Sequence, residues 1–296
     1  MIVVAGGTGV LGRGIVARLL EAQRHVRVLT RDPGRASDLR ARGAEVAAAD
    51  LRDVESLRGA CAGATHVVTT ANAFMGRGAQ SVAAVDIRGT RHLIDVAKQH
   101  GVRQFVFTSA LLPRAFAAVD YFAAKFANED YLRASGVPYT ILKPTAFMDT
   151  WAQMIIDSVR AKGVAQIFGR GSLPVNYVAT SDVATVAAMT IDRPDAIDTD
   201  VEIGGPEDLT MLQVVDIVER VAGRPVTRKH LPVMMMRVLP FLLRPFNPGV
   251  ARAIEAGYHT ATASQPFDSR PMLERYPIRQ TTMDEWVHAR WESHKS

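Results

Sequence analysis

The sequence predicts an α/β protein, a doubly wound parallel sheet followed by a smaller, mainly helical C-terminal lobe. Two features of the first 143 residues point there. Short β-branched runs alternate with longer helical patterns, and the strand residues are apolar throughout rather than on one face only. Strands of that kind belong to a parallel sheet covered by helices on both faces. A third feature sets the lobe apart: after Lys143-Pro144 the rhythm lapses, and helices with capping signals take over.

In order, strands over 2–5, 26–30, 45–49, 65–70, 104–108 and 139–142 alternate with helices over 10–22, 35–42, 54–61, 79–100 and 118–135. Beyond them come a helical pattern over 150–162, a Gly/Pro-punctuated stretch over 168–174, a strand-to-helix unit over 175–190 and a short strand over 201–203. Thr210 with Gln213 and Thr282 with Glu285 have the spacing of a capping box, each ahead of an apolar run. The division expected is 1–143 for a dinucleotide-binding domain and 144–296 for a substrate-binding lobe over the C-terminal edge of the sheet, with part of 173–203 returning to that sheet. The apolar run over 231–243, which holds Met234, Met235 and Met236, reads as a buried helix of the lobe in preference to a lid or a membrane-facing patch.

Composition narrows the function classes. Hydrophobic residues at 48% and charged residues at 22% are those of a folded globular chain. Cys61 is the single cysteine, so an intrachain disulfide and a multi-cysteine zinc cage are both excluded. The eight histidines show no metal-ligand spacing, and no metal is expected. A net charge of +5 without a block of like charges suits an anionic small ligand as well as a nucleic acid; the partner expected is a small molecule and not a nucleic acid. The start Met1-Ile-Val-Val-Ala-Gly-Gly reads as a strand rather than a signal peptide, and 231–243 is too short to span a bilayer. A reducing, cytoplasmic setting is the expectation.

The strongest chemical signal is Gly6-Gly7-Thr8-Gly9-Val10-Leu11-Gly12, a G-x-x-G-x-x-G between the first strand and the first helix. Gly6 permits the tight turn, Gly9 lets backbone approach a pyrophosphate, and Gly12 lets helix pack on strand, while the helix N-terminus offers unpaired N–H groups. A flexible loop is the plain alternative, and the strand-turn-helix setting disfavours it. The second strand ends at Thr30-Arg31, where a carboxylate for ribose hydroxyls would mark NAD(H). Arg31 offers a donor fork for a 2′-phosphate, with Arg13 and Arg35 as helpers, so NADP(H) is favoured and NAD(H) stays open. Asp50 and Leu51 after the third strand are placed to meet adenine, and Thr70, Ala71 and Asn72 after the fourth are small enough to flank the middle of an extended dinucleotide. Ordinary turns would use the same residues.

Tyr121 and Lys125 stand four apart on one predicted helix, hence on one face. An adjacent ammonium stabilises phenolate, so Tyr121 is the candidate proton shuttle and Lys125 the candidate ribose contact. Phe74, Met75, Phe147, Met148, Trp151 and Met154 are candidate apolar lining, with core packing an equal explanation of each.

Together the glycine turn, Arg31, Asp50, Phe105-Val-Phe-Thr-Ser109, Tyr121/Lys125, the stretch from Leu132-Arg-Ala-Ser to Leu-Lys-Pro144 and Asn176-Tyr-Val-Ala-Thr-Ser-Asp-Val-Ala184 resemble the atypical short-chain dehydrogenase/reductases of the NmrA-like, NAD(P)H-binding group. The resemblance covers the chain to about residue 205. It implies a Rossmann-like domain, a variable substrate lobe and hydride transfer aided by a Ser/Thr, a Tyr and a Lys. Where such proteins carry a serine-rich turn, this chain reads Thr108-Ser109-Ala110. Ser109 is the residue expected to orient a substrate carbonyl, with Thr108 its rival. Many members of the group lack the tyrosine and sense nucleotide without turnover. The expected function is therefore an NADPH-dependent oxidoreductase acting on a small, apolar carbonyl compound, with room for a homodimer. The alternatives are a non-catalytic NADP(H) sensor and, behind it, an epimerase or dehydratase with retained cofactor.

Overall fold

The computed structural model describes residues 1–293. Its main sheet has seven strands: β1 (Ile2–Ala5), β2 (Val26–Thr30), β3 (Glu45–Ala48), β4 (His66–Thr69), β5 (Gln104–Thr108), β6 (Tyr139–Pro144) and, to number them in chain order, β10 (Thr199–Ile203). Their order is β10-β6-β5-β4-β1-β2-β3, and the pairings from β3 through β6 are parallel. The chain runs outward from β1 in one direction and then from β4 in the other, so the strand order reverses beside β1. Open sheets of this kind bind ligands in the crevice at that reversal, beyond the carboxyl ends of the strands.

Helices cover both faces. On one, α3 (Val54–Ala60), α4 (Thr90–Gln99) and α5 (Asp120–Ser135) set Leu57, Leu93, Ile94 and Leu132 against Val3, Val67, Phe105, Phe107 and Ile141 of the strands. On the other, α1 (Val10–Glu21) buries Ile15, Val16 and Leu19. Its Gly14 lies so close to Ala184 that an added Cβ would come 2.9 Å from the Ala184 Cβ. The helix expected over 35–42 is a 3₁₀ turn, Pro33–Ala36, running into the short α2 (Ser37–Ala41). The one expected over 79–100 starts with a 3₁₀ turn and a π-helical stretch, Ala83–Gly89, before α4.

Two compact units emerge. One holds residues 1–143 and 183–202; the other holds 144–182 and the chain from 203 onward. The second contains β7 (Ala146–Phe147), α6 (Met148–Lys162), β8 (Val164–Phe168), β9 (Pro174–Val178), the start of α7 (Thr180–Met189), β11 (Asp208–Thr210), α8 (Met211–Ala222) and β12 (Thr227–Leu231). After these come α9 (Val233–Leu243), α10 (Pro248–Thr262), α11 (Arg270–Arg275) and α12 (Met283–Glu292). Its core joins Ile155 and Val159 of α6, Val214 and Val218 of α8, and Trp286 and Val287 of α12. Both capping boxes form, with Thr210 and Thr282 accepting from the backbone N–H of Gln213 and Glu285. The lobe also has two small sheets, β11-β9-β7 and β12-β8; of their strands only β9 was expected, as the start of the strand-to-helix unit over 175–190.

The helix over 231–243 is not buried as expected. Met236 and Pro240 of α9 face the interior, whereas Met234, Met235, Val238, Phe241 and Leu242 face outward. An apolar run satisfies either a buried helix or a helix with one unpartnered face, and the sequence does not distinguish them.

Candidate active site

The glycine turn divides its labour by steric need. Gly6 has φ of +82°, and a Cβ there would meet the backbone nitrogen of Ala71 at 2.6 Å. Gly12 is tighter: its Cβ would lie 2.1 Å from the Gly6 carbonyl oxygen. Gly9 has only the Gly6 oxygen near it, at 3.3 Å, so nothing in the protein itself requires glycine there. The Gly9 N–H donates to the Gly6 carbonyl at 2.9 Å, and the helical ladder begins with the Arg13 N–H on the Gly9 carbonyl at 2.8 Å. The N–H groups of Val10, Leu11 and Gly12 therefore have no acceptor within α1, and no side chain caps them. That is an anion cradle made of backbone.

Beside the turn lies a cleft of about 500 Å³ lined by Gly6, Thr8, Gly9, Arg31, Asp50, Leu51, Thr70, Ala71 and Asn72. Sequence position alone scatters these residues over the first 72; four parallel strand ends bring them together. Val10, Leu11 and Gly12 are absent from the lining, so any part they play falls to their backbone. Arg35, Gln80 and Val85 line the cleft as well. The Arg31 guanidinium donates to the Gln80 side-chain oxygen. Arg13, an expected helper, is committed to Asp38 and to the carbonyls of Thr8 and Arg35. Asp50 is chelated by Arg52, whose hydrogen bonds hold its carboxyl below the ordinary range.

From the cleft the chain leads to α5. Asn72 accepts from the Phe74 N–H at 3.3 Å, the buried carboxylate of Asp86 accepts from the Ala73 N–H at 2.9 Å, and the Phe74 ring meets Tyr121 edge-on with centroids 5.0 Å apart. Lys125 is buried, donates to the Thr108 carbonyl at 2.9 Å, and stands over the rings of Phe107 and Tyr121 at 5.0 and 5.3 Å. Lys125 addresses a carbonyl and the ring rather than the phenol oxygen, and burial, with the Asp86 charge adding to it, pushes the Tyr121 phenol far above its ordinary value. Burial likewise pulls the Lys125 ammonium down, against the pull of Asp86 and Glu129.

Ser109 is engaged elsewhere in the structure. Its hydroxyl donates to Glu129, a carboxylate only 2% exposed that also meets Lys143 at 3.2 Å and Arg133 at 3.4 Å. A proton given to a buried carboxylate is not on offer to a substrate carbonyl. The Thr108 hydroxyl, by contrast, is buried with no hydrogen-bond partner among the described residues. Sequence reasoning missed Gln80, Asp86 and Glu129. Glu129 carried a signal, since it follows Lys125 by four and so shares its helix face. Of the suggested apolar lining, Met75 is 61% exposed, Met148 is core, and Trp151 packs edge-on against Phe168.

Comparison with known proteins places the chain. The NAD(P)H azoreductase of Xenophilus azovorans is 30% identical over 227 residues, covering 76% of this chain and 75% of that one. The (4-alkanoyl-5-oxo-2,5-dihydrofuran-3-yl)methyl phosphate reductase of Streptomyces griseus is 31% identical over 257 residues, covering 86% and 84%. In structure, the NADPH-dependent quinone oxidoreductase of Escherichia coli, complexed with NADPH, superposes at a TM-score of 0.81 over 98% of this chain and all of that one, at 20% identity. That likeness speaks for the fold. With the NmrA-like family matching residues 1–287, and with this sheet and turn, the chain belongs to the NmrA-like family.

Proposed function

We propose that the protein is an NADPH-dependent reductase that delivers a hydride to a small, apolar carbonyl or quinone compound. The observation that carries the proposal is the single cleft in which the glycine turn, Arg31, Asp50 and Thr70–Asn72 converge. The residues fit the cofactor: three free helix N–H groups and a Cβ-free Gly9 for the pyrophosphate, Arg31 for the 2′-phosphate, and Asp50 with Leu51 for adenine. When bound, the nicotinamide supplies the hydride. The names of the azoreductase and of the (4-alkanoyl-5-oxo-2,5-dihydrofuran-3-yl)methyl phosphate reductase support a reductive direction.

Tyr121 is the proton donor in this reading. On reduction of the carbonyl, the oxygen that gains the C=O π pair would take the phenol proton of Tyr121. Burial keeps the phenol protonated at neutral pH, as a proton donor must be, while making it a weaker acid than a free tyrosine. Lys125 keeps donors beyond the one given to Thr108 and is placed to hold ribose and to offset charge on the phenolate left behind. Asp86 and Phe74 position the tyrosine. Ser109 holds Glu129 in place and has no part in the transfer.

The commitment of Ser109 to Glu129 also favours a second reading, a nucleotide sensor without turnover. One experiment separates the two: titration of NADPH by its fluorescence, then NADPH oxidation over a panel of quinones, azo dyes and apolar aldehydes. Saturable binding with turnover on part of the panel is expected. Binding with no turnover on any member supports the sensor, and absence of binding defeats both.

A further inference from the structure

The outward face of α9 has no partner among the described residues. Met234, Met235, Val238, Phe241 and Leu242 are between 48% and 81% exposed, and Phe246, just past the helix, is 77% exposed. At 100° per residue Met234, Val238, Phe241 and Leu242 form one stripe, and Met236 and Pro240 lie opposite it in the interior. Arg237 and Arg244, seven residues apart, lie along one border of the stripe. Isolated exposed apolar residues are ordinary; a contiguous stripe of large ones marks an interaction surface.

The charge around the stripe says what kind of surface it meets. Residues 220–254 hold seven Lys and Arg and not one Asp or Glu. Some of these cations are answered from outside the segment, Arg244 by Glu255 at 2.8 Å and Arg228 by Asp216 and Glu219 at 2.6 Å. Arg237 and Lys229 are exposed and have no carboxylate at ion-pair distance among the described residues. An apolar stripe bordered by the unanswered Arg237, with the unanswered Lys229 on the strand that leads into the helix, is the build of a helix that lies in a membrane interface.

We propose that α9 docks the protein on an anionic lipid surface, lying in the plane of the interface with Met234, Val238, Phe241 and Leu242 immersed and Arg237 and Lys229 among the headgroups. No helix among the described residues is long and apolar enough to cross the bilayer, so the attachment is peripheral and reversible. A second copy of the chain is the poorer occupant, because two-fold pairing would set the same basic border against itself with no acid in the segment to answer it. The proposal stands independently of the reductase reading.

The test is co-sedimentation of the full chain with vesicles of phosphatidylglycerol mixed into phosphatidylcholine, against phosphatidylcholine alone. Two free cations at about fivefold each predict at least tenfold stronger partitioning onto the anionic vesicles, weakening with salt. Phe241→Asp with Leu242→Asp should lower that partitioning by about a hundredfold or more. Met234→Ser with Val238→Ser should lower it in the same sense with a milder change to the helix. Because all four side chains are exposed, both variants should melt as the wild type does, and NADPH titration should be unchanged. The proposal is overturned if the wild type stays in the supernatant at every lipid concentration, or if the folded variants bind as well as it does. It is equally overturned if the variants abolish a concentration-dependent self-association in solution while vesicle binding is absent.

Discussion

Gly9 and Gly12 sit three residues apart in one motif, yet the structure gives substitutions at them opposite consequences. At Gly12 a Cβ would stand 2.1 Å from the Gly6 oxygen and 2.7 Å from the Gly7 Cα, both backbone atoms that no rotamer change relieves. Overpacking of this kind costs about 1–3 kcal/mol. For a unit of this size that is a fall in melting temperature of roughly 2–12 °C. At Gly9 the backbone is already extended, with φ −82° and ψ 170°, and a Cβ would meet the Gly6 oxygen at 3.3 Å, so Gly9→Val should change stability by less than about 1 kcal/mol. Its side chain would instead occupy the space in front of the free N–H groups of Val10 and Leu11. Loss of one charge-assisted hydrogen bond there, about 1.5–3 kcal/mol, weakens the dinucleotide by about tenfold to a hundredfold, and loss of two by far more. Thermal melts paired with NADPH titrations of both variants are the assay. A Gly9→Val protein that binds normally, or a Gly12→Ala protein that melts as the wild type does, would refute this division of roles.

Three further outcomes are expected. Arg31→Ala should weaken NADPH far more than NADH, toward the lower end of about 1.5–3 kcal/mol because the Gln80 amide competes for the guanidinium; equal losses in parallel titrations would remove Arg31 from the 2′-phosphate. Tyr121→Phe should keep NADPH affinity while turnover falls by about 10²- to 10⁴-fold, and Lys125→Met should lose both; steady-state rates beside cofactor titrations decide it, and unchanged turnover in Tyr121→Phe would give the proton to another group. His66 is buried, meets Asp192 at 2.9 Å beside Arg24 and Arg103, and burial lowers its imidazole below the ordinary value of 6.5. The unfolded chain therefore takes up that proton first, so stability should fall as pH drops below about 6.5, and His66→Gln should flatten the melting-temperature slope in that window.

The part of the site built from backbone was legible in the sequence because backbone demands leave a residue signature. A positive φ at Gly6 and a collision at Gly12 admit glycine alone, and the motif sits where strand gives way to helix. Arg31, Asp50 and Thr70 were legible for a topological reason, since the ends of parallel strands fall on one edge of a sheet. Side-chain pairings were not. Ser109 has several acceptors to choose from, and that it gives its proton to Glu129 depends on how α5 turns its acid inward, where a carboxylate reads in sequence as a solvated one. Short strands in the lobe were missed for want of pattern: Thr227–Leu231 reads Thr-Arg-Lys-His-Leu, four of its five residues exposed, and is a strand only because Val164–Phe168 lies parallel beside it.

The cofactor-binding unit is not contiguous in the chain, and that bears on how it is made. The Gln104 amide donates to the Thr190 carbonyl at 2.9 Å, the Thr140 hydroxyl to the Ala196 carbonyl at 2.6 Å, and the Asp198 N–H to the Tyr139 carbonyl at 2.6 Å. Lys143 reaches Asp200 at 2.6 Å, and through that pair steadies Glu129. A nascent chain that has just emerged to residue 143 has every residue of the cleft and none of these partners. At about 5–20 residues per second, roughly 3–12 s of synthesis separate residue 143 from residue 203. During that interval the β6 edge stands open to pairing with other strands, and the buried Glu129 pocket lacks one of its walls. A ribosome-bound fragment ending at 143 should therefore recruit chaperones and resist proteolysis poorly, while one extended past 203 should acquire nucleotide binding before its C-terminal helices exist.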